Sequence, residues 1–238
     1  MQPRAHYDDF AGLFDYPQVD YPARVHRIRE LLAGRYPAAV ARLGALSNAL
    51  PTDGEMLAAA ALDEVQEIFT RSFDVQPITT LSVGYVMFGD DYKRGELLVH
   101  LNRETREAGV SCGSELADHL PNVLRLIARW QDPALLVEFV GDILHPALER
   151  MIAEFGLERM EQRHRLYEKH FKTVIASSAD RGTMFREPLT ALVLVLKEDF
   201  ALGELVRPEH HSDFLRSIGR ELDIETDESR PAPPRSRP

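Results

Sequence analysis

The chain is expected to fold as an all-α, single-domain irregular bundle of roughly eight to ten helices. Three observations lead there. Apolar residues recur at three- and four-residue spacing through most of the 238 residues. No alternating strand series or internal repeat competes with that period, and Pro or Gly interrupts it at intervals suited to helix ends. With 44% hydrophobic residues, the chain can fill one sizeable core without a second domain. The helical domain is placed at residues 22–222. Residues 1–21 are set apart as an N-terminal extension, and 223–238 as an acidic, Pro-rich tail with little to bury.

Taken in order, residues 1–20 hold aromatics and acids without a steady period, so no element is assigned to them. From Pro22 to about Gly34, Val25, Ile28, Leu31 and Leu32 share one helical face. Tyr36-Pro37 marks a boundary, after which Val40, Leu43, Leu46 and Leu50 sustain a second helix that Pro51-Thr-Asp-Gly54 ends. A third helix from Glu55 to Thr70 places Met56, Leu57, Val65, Ile68 and Phe69 near one side. After Pro77, a short run containing Leu81, Tyr85 and Phe88 is assigned to a helix because helices lie on both sides of it.

Asp91 to Ala108 follows as an amphipathic helix with Leu97, Leu98 and Leu101 at its apolar centre, stopped by Gly109. Pro121 suits the first turn of the next, which carries Leu124, Ile127 and Ala128. Leu135 to Phe155 shows the strongest helical period, and Pro146 is expected to kink or split it. A more polar helix spans Glu158 to about Ser177. Pro188 to about Leu205 is again apolar, and Phe214 to Leu222 permits one short helix.

Composition removes several functional classes. Thirty-eight acids against 28 bases give a net charge of -10, and the densest basic stretch, around Arg163-His-Arg165, is flanked by Glu161 and Glu168, so nucleic acid is not an expected partner. A peptide carrying Arg or Lys would instead be attracted. Cys112 is the only cysteine, which excludes an intrachain disulfide and a cysteine-held zinc or iron–sulfur site, and fits a reducing compartment. The start lacks the apolar run of a secretory signal, and Leu189–Leu196 is far too short to span a bilayer. A cytoplasmic location without stable membrane insertion follows as an expectation.

Catalytic patterns are weak. His164, His170 and the pair His210-His211 do not fall in a metal-ligand spacing. Ser111, Cys112 and Ser114 have no base assigned by any sequence rule, and Gly84 and Gly89 match neither a phosphate loop nor a dinucleotide fingerprint. These glycines are expected to permit helix packing or a turn. No enzyme activity, cofactor or metal is therefore assigned.

Three segments hold more promise: Phe69-Thr-Arg-Ser-Phe-Asp74, Phe88-Gly-Asp-Asp-Tyr-Lys-Arg-Gly95 and Leu116-Ala-Asp-His-Leu-Pro121. Asp118 and His119 suit either a helix cap or a charged binding surface. Asp90, Asp91, Lys93 and Arg94 suit either a solvated helix start or the rim of a peptide groove in which Tyr85 and Phe88 make apolar contacts. Phe69, Phe73, Tyr85 and Phe88 are equally at home in a core.

Together these segments resemble the nitrate-reductase delta-subunit family, NarJ-like proteins within the wider TorD-like group of molybdoenzyme chaperones, over about residues 22–200. The family pattern often has Pro before the Asp-His pair, where this chain has Ala117. The resemblance implies an all-helical chaperone that binds the N-terminal or leader segment of an immature molybdoenzyme catalytic subunit, from nitrate reductase or a related DMSO-reductase-family enzyme. It would hold that client for molybdenum-cofactor insertion before membrane attachment or export. It places client binding first on Asp118 and His119, then on Tyr85, Phe88, Asp90, Lys93 and Arg94. A helical adaptor or regulatory protein with a different client is the second reading.

Overall fold

The computed structural model describes residues 4–52, 54–156 and 182–203. Among them the regular structure is helical: α1 (His6–Phe14), α2 (Tyr21–Leu32), α3 (Pro37–Ala49), α4 (Ala59–Phe73), α5 (Val83–Phe88), α6 (Tyr92–Glu107), α7 (Leu120–Arg129), α8 (Pro133–Phe139), α9 (His145–Glu154) and α10 (Arg186–Asp199). The expected all-α irregular bundle is what the described residues form. The helices expected at 158–177 and 214–222, the tail at 223–238, and His164, His170, His210 and His211 lie outside the described residues.

Residues 6–14 depart from the expectation of an extension outside the domain. They form α1, whose Tyr7, Phe10, Ala11, Leu13 and Phe14 are fully buried, and which lies against α7 and α2. Its acids do not break that burial because each has a distant cation: Asp8 pairs with Arg129 at 2.6 Å and Asp9 with Arg27 at 2.7 Å. The two carboxylates also sit in the helix's first turn, where the backbone dipole favours negative charge.

The N-terminal end of α1 is tied to the last turn of α10. Asp199 accepts hydrogen bonds from Tyr7 at 2.9 Å and Tyr36 at 2.5 Å, lies 2.9 Å from His6 Nε2, and pairs with Arg35 at 2.8 Å. Burial works against ionisation of this carboxyl, but its hydrogen bonds with His6, Tyr36 and Tyr7 outweigh burial and hold it below the usual carboxylate range. The same burial, with Asp199 as hydrogen-bond partner, pushes the Tyr7 and Tyr36 hydroxyls up.

Two local rules explain the long apolar stretch before Phe155. Asp132 caps α8, its Oδ1 accepting from the backbone N–H of Ala134 and Leu135. Pro146 then brings no N–H and would crowd the preceding turn, and the chain responds with a π-helical turn at Val140–Leu144 between α8 and α9. The expected interruption is thus a wider turn inside one continuous helix. Counted that way, the described residues hold nine helices.

Boundaries shift where a buried face begins later than the apolar pattern. The third helix starts at Ala59 and not at Glu55. Met56 is 56% exposed, while Leu57 is buried and its N–H bonds to the Val19 carbonyl. Leu31, assigned to the apolar face of α2, is 56% exposed. In α10, Leu189, Leu192, Val193, Val195 and Leu196 are all buried against α3 and α9, so this helix is covered on most of its circumference. No helix among the described residues is long and apolar enough to cross a membrane.

Candidate functional site

Extended backbone brings the marked segments together. Leu81-Ser-Val83, which leads into α5, pairs antiparallel with Asp118-His-Leu120, which leads into α7. Val83 N–H donates to the Asp118 carbonyl at 2.9 Å, Leu120 N–H donates to the Leu81 carbonyl at 2.8 Å, and Ser82 stands opposite His119. Side chains of an extended segment alternate sides, so Asp118 and His119 are separated by the backbone that joins them.

The Asp118 side chain is completely buried. Its Oδ2 accepts from Arg94 Nε at 3.0 Å, and the Arg94 guanidinium lies 5.4 Å from the centre of the Tyr85 ring. Asp118 Oδ1 meets no hydrogen-bond donor among the described residues. This arrangement corrects both expectations for Asp118. The carboxylate neither caps α7, where His119 occupies the capping position without a side-chain bond, nor reaches solvent to meet a client. It ties α6 to the bridge.

Gly84 makes that tie possible. A Cβ there would stand 2.8 Å from Asp118 Oδ2, 3.1 Å from Leu97 Cδ2 and 3.2 Å from Arg94 Cγ. The expectation that Gly84 serves packing is therefore met by a specific close approach, whereas Gly89 and Gly109 end helices at φ of 62° and 66°.

His119 lies on the other side of the bridge, in a cleft of about 530 Å³. Phe14, Phe69, Phe73 and Pro121 supply apolar lining, and Asp15, Asp74, Glu115 and Arg125 supply charge. Phe69 and Phe73 do double duty, because both are buried in an aromatic cluster with Phe185, at ring-centre distances of 5.2 and 5.5 Å. Asp15 and Arg125 form an ion pair at 2.5 Å. Burial pushes the His119 imidazole below its ordinary value, with Glu115 and Asp15 pulling the other way, so it is neutral at pH 7. The Cys112 thiol is half-buried on the same cleft, and the Cys112 carbonyl accepts from Asn122.

The remaining expected site residues divide. Tyr85 is 44% exposed and borders a second cleft of about 540 Å³ with Val86, Arg150 and Glu154. Thr80, next to the bridge, lines both clefts, whereas Leu81, Ser82 and His119 of the bridge itself line only the first. Phe88 is half-buried and packs against the core, Asp90 is exposed, and Lys93 is half-buried at the start of α6, where Asp91 caps the backbone. Tyr85, Arg94 and Asp118 are thus brought together as one column, His119 faces away from them, and Asp90 and Lys93 join neither cleft lining. The sequence reading missed Asp15, Glu115, Arg125 and Arg150. Only Glu115, next to the marked Leu116–Pro121 segment, had a nearby signal.

No group of three or more His, Cys, Asp or Glu side chains that could hold a metal ion occurs among the described residues. Comparison with protein-family models, curated proteins and solved structures gives no match in any of the three.

Proposed function

We propose that this chain is a client-binding assembly chaperone of the NarJ-like and TorD-like kind, acting in the cytoplasm on an immature molybdoenzyme catalytic subunit. The supporting observation is the convergence of its three marked segments on one piece of structure. Phe69 and Phe73 floor the cleft that His119 enters, while Arg94 reaches Asp118 from the opposite side of the same bridge. Residues up to 50 positions apart thus meet at one bridge, which walls the His119 cleft on one side and carries the Arg94–Asp118 pair on the other.

Such a wall does no covalent chemistry in this reading. It presents apolar surface beside Asp74 and Glu115, carboxylates with no ion pair among the described residues, which suits non-covalent retention of a client segment while the rest of that client stays open for cofactor loading. Asp118 and Arg94 act as positioning residues, and contact falls to His119 and the cleft linings. Affinity capture on the full chain, followed by mass spectrometry and molybdenum analysis of what is retained, tests the proposal. An under-metallated molybdoenzyme catalytic subunit is the expected catch. Capture of mature assemblies alone would replace the proposal with the adaptor reading.

A further inference from the structure

The structure assigns the client segment to a groove of its own, running from the His119 cleft across Tyr16 to the outer face of α4, and we infer that its occupant is an extended basic peptide with an apolar anchor. This rests on the client-binding reading above but not on which client it is. Tyr16 and Thr70 line both the His119 cleft and a shallower hollow of about 360 Å³ bordered by Asp63, Glu67, Arg71 and Val75, so the two hollows adjoin at these two residues.

Apolar and acidic groups are interleaved along that path. Tyr16 is 49% exposed with its edge against Phe69 at 5.7 Å, and Val75 is 59% exposed. Neither side chain is covered by another element among the described residues; both line the hollow on α4, and Tyr16 also stands beside the Phe69 and Phe73 rings of the His119 cleft, which offers an apolar anchor site. The charge is one-sided. Both guanidiniums on the path are already engaged, Arg125 with Asp15 at 2.5 Å and Arg71 with Glu67 at 2.6 Å. Asp63, Asp74 and Glu115 are exposed and have no ion pair among the described residues. Three free carboxylates beside apolar surface, on a chain of net charge -10, repel an acidic segment and complement a basic one. None of Tyr85, Phe88, Asp90, Lys93 or Arg94 borders this path.

The test uses fluorescence anisotropy on the full chain with three labelled short peptides: one alternating Lys or Arg with Leu or Phe, one with its bases replaced by Glu, and one with its apolar residues replaced by Ser. The first is expected to bind, and the other two to bind at least about tenfold more weakly. Combining Asp63→Asn, Asp74→Asn and Glu115→Gln should weaken the basic apolar peptide about tenfold, from three exposed pairings of roughly 0.5 kcal/mol each. Tyr16→Ser should weaken it as well. Glu96→Gln with Glu107→Gln, which removes two exposed carboxylates elsewhere, should change it by less than about twofold. All these positions are at the surface, and circular dichroism checks that each variant folds.

Equal binding by the acidic peptide, an unaffected triple variant, or sensitivity to Tyr85→Ala in place of Tyr16→Ser would overturn the groove. If no peptide binds while affinity capture still yields a client, the groove is wrong and the client-binding reading survives. If the basic apolar peptide binds as expected while capture yields no client, the groove stands and the chaperone reading falls.

Discussion

Replacing Gly84 with Ala should destabilise the protein by about 3 kcal/mol, although the same change in an open helix would stabilise it. The new Cβ would lie 2.8 Å from Asp118 Oδ2, closer than side-chain carbons approach oxygen, so the carboxylate must move. It has little slack. Arg94 Nε holds it at 3.0 Å, and the Asp118 backbone is fixed by the bridge to Val83. Overpacking of this kind costs about 1–3 kcal/mol, and loosening a hydrogen bond between charged groups roughly 1.5–3 kcal/mol. Removing a helical glycine returns about 1 kcal/mol, which leaves a net loss near the stated value. Gly95 is the internal control: it lies in α6 with nothing within 4 Å of where a methyl group would stand, so Gly95→Ala should gain about 0.5–1 kcal/mol. Urea denaturation at pH 7 measures both. Adding Asp118→Ala to Gly84→Ala removes the clashing oxygen, so the double variant should lose less than the two single losses combined. A Gly84→Ala protein as stable as the wild type, or both glycine variants shifting in the same direction, would refute the close approach.

Four further outcomes follow from the same packing. Arg94→Ala should cost more than Asp118→Ala, about 3–5 against about 1–2 kcal/mol in urea, because it strands a fully buried carboxylate, whereas the Arg94 side chain is 20% exposed and can turn to water; the reverse order would refute the pairing. His119→Ala should change stability by less than about 1 kcal/mol yet weaken client capture, and Asp118→Ala the opposite; equal loss of stability in both would refute the division of this pair. Stability should hold above pH 7 and fall as pH drops through the ordinary histidine value of 6.5, since burial lowers the His119 and His145 imidazoles and the unfolded chain takes up protons first. It should fall again below the ordinary Asp value of 3.8 as Asp199, whose folded carboxyl is held lower still, loses its ionised form; thermal melts across pH 3–8 that stay flat would contradict both steps. Phe185→Ala should cost about 3–5 kcal/mol by emptying the centre of the aromatic cluster, while Tyr92→Ala, 64% exposed, should stay within about 0.5 kcal/mol in the same denaturation assay.

Helix periodicity made most of the bundle legible because burial here is decided locally: Leu97 and Leu101, or Val65 and Ile68, fall on one face whatever they touch. α1 escaped that logic. In nine residues it alternates buried aromatics with His6, Asp8 and Asp9, and nothing nearby in sequence says those charges are answered. Their partners sit far along the chain, Arg129 at 121 positions from Asp8 and Asp199 at 193 from His6. A charged residue reads as solvated until its counter-ion is known, and only the fold supplies the counter-ion. Pro146 shows the converse, because a missing N–H acts on its own turn and its effect could be foreseen without any partner.

The same asymmetry governs the candidate site. Asp118 and His119 read as a pair because they are adjacent, but adjacency in extended backbone means opposite faces. One residue therefore joins the interior with Arg94 and Gly84, and the other joins a cleft with Phe73 and Glu115. Whether the 118 carboxylate is a surface acid or a buried strut depends on a glycine 34 positions upstream having no side chain, which no window around Asp118 reveals. The groove along α4 was hidden for a related reason. Its acids, Asp63, Asp74 and Glu115, belong to three separate segments, each too sparse to mark charge on its own. They become a one-sided field only because Arg125 and Arg71 are already taken by Asp15 and Glu67. Recognition chemistry in this fold is thus set by which charges the scaffold leaves over, a quantity that composition bounds and only packing distributes.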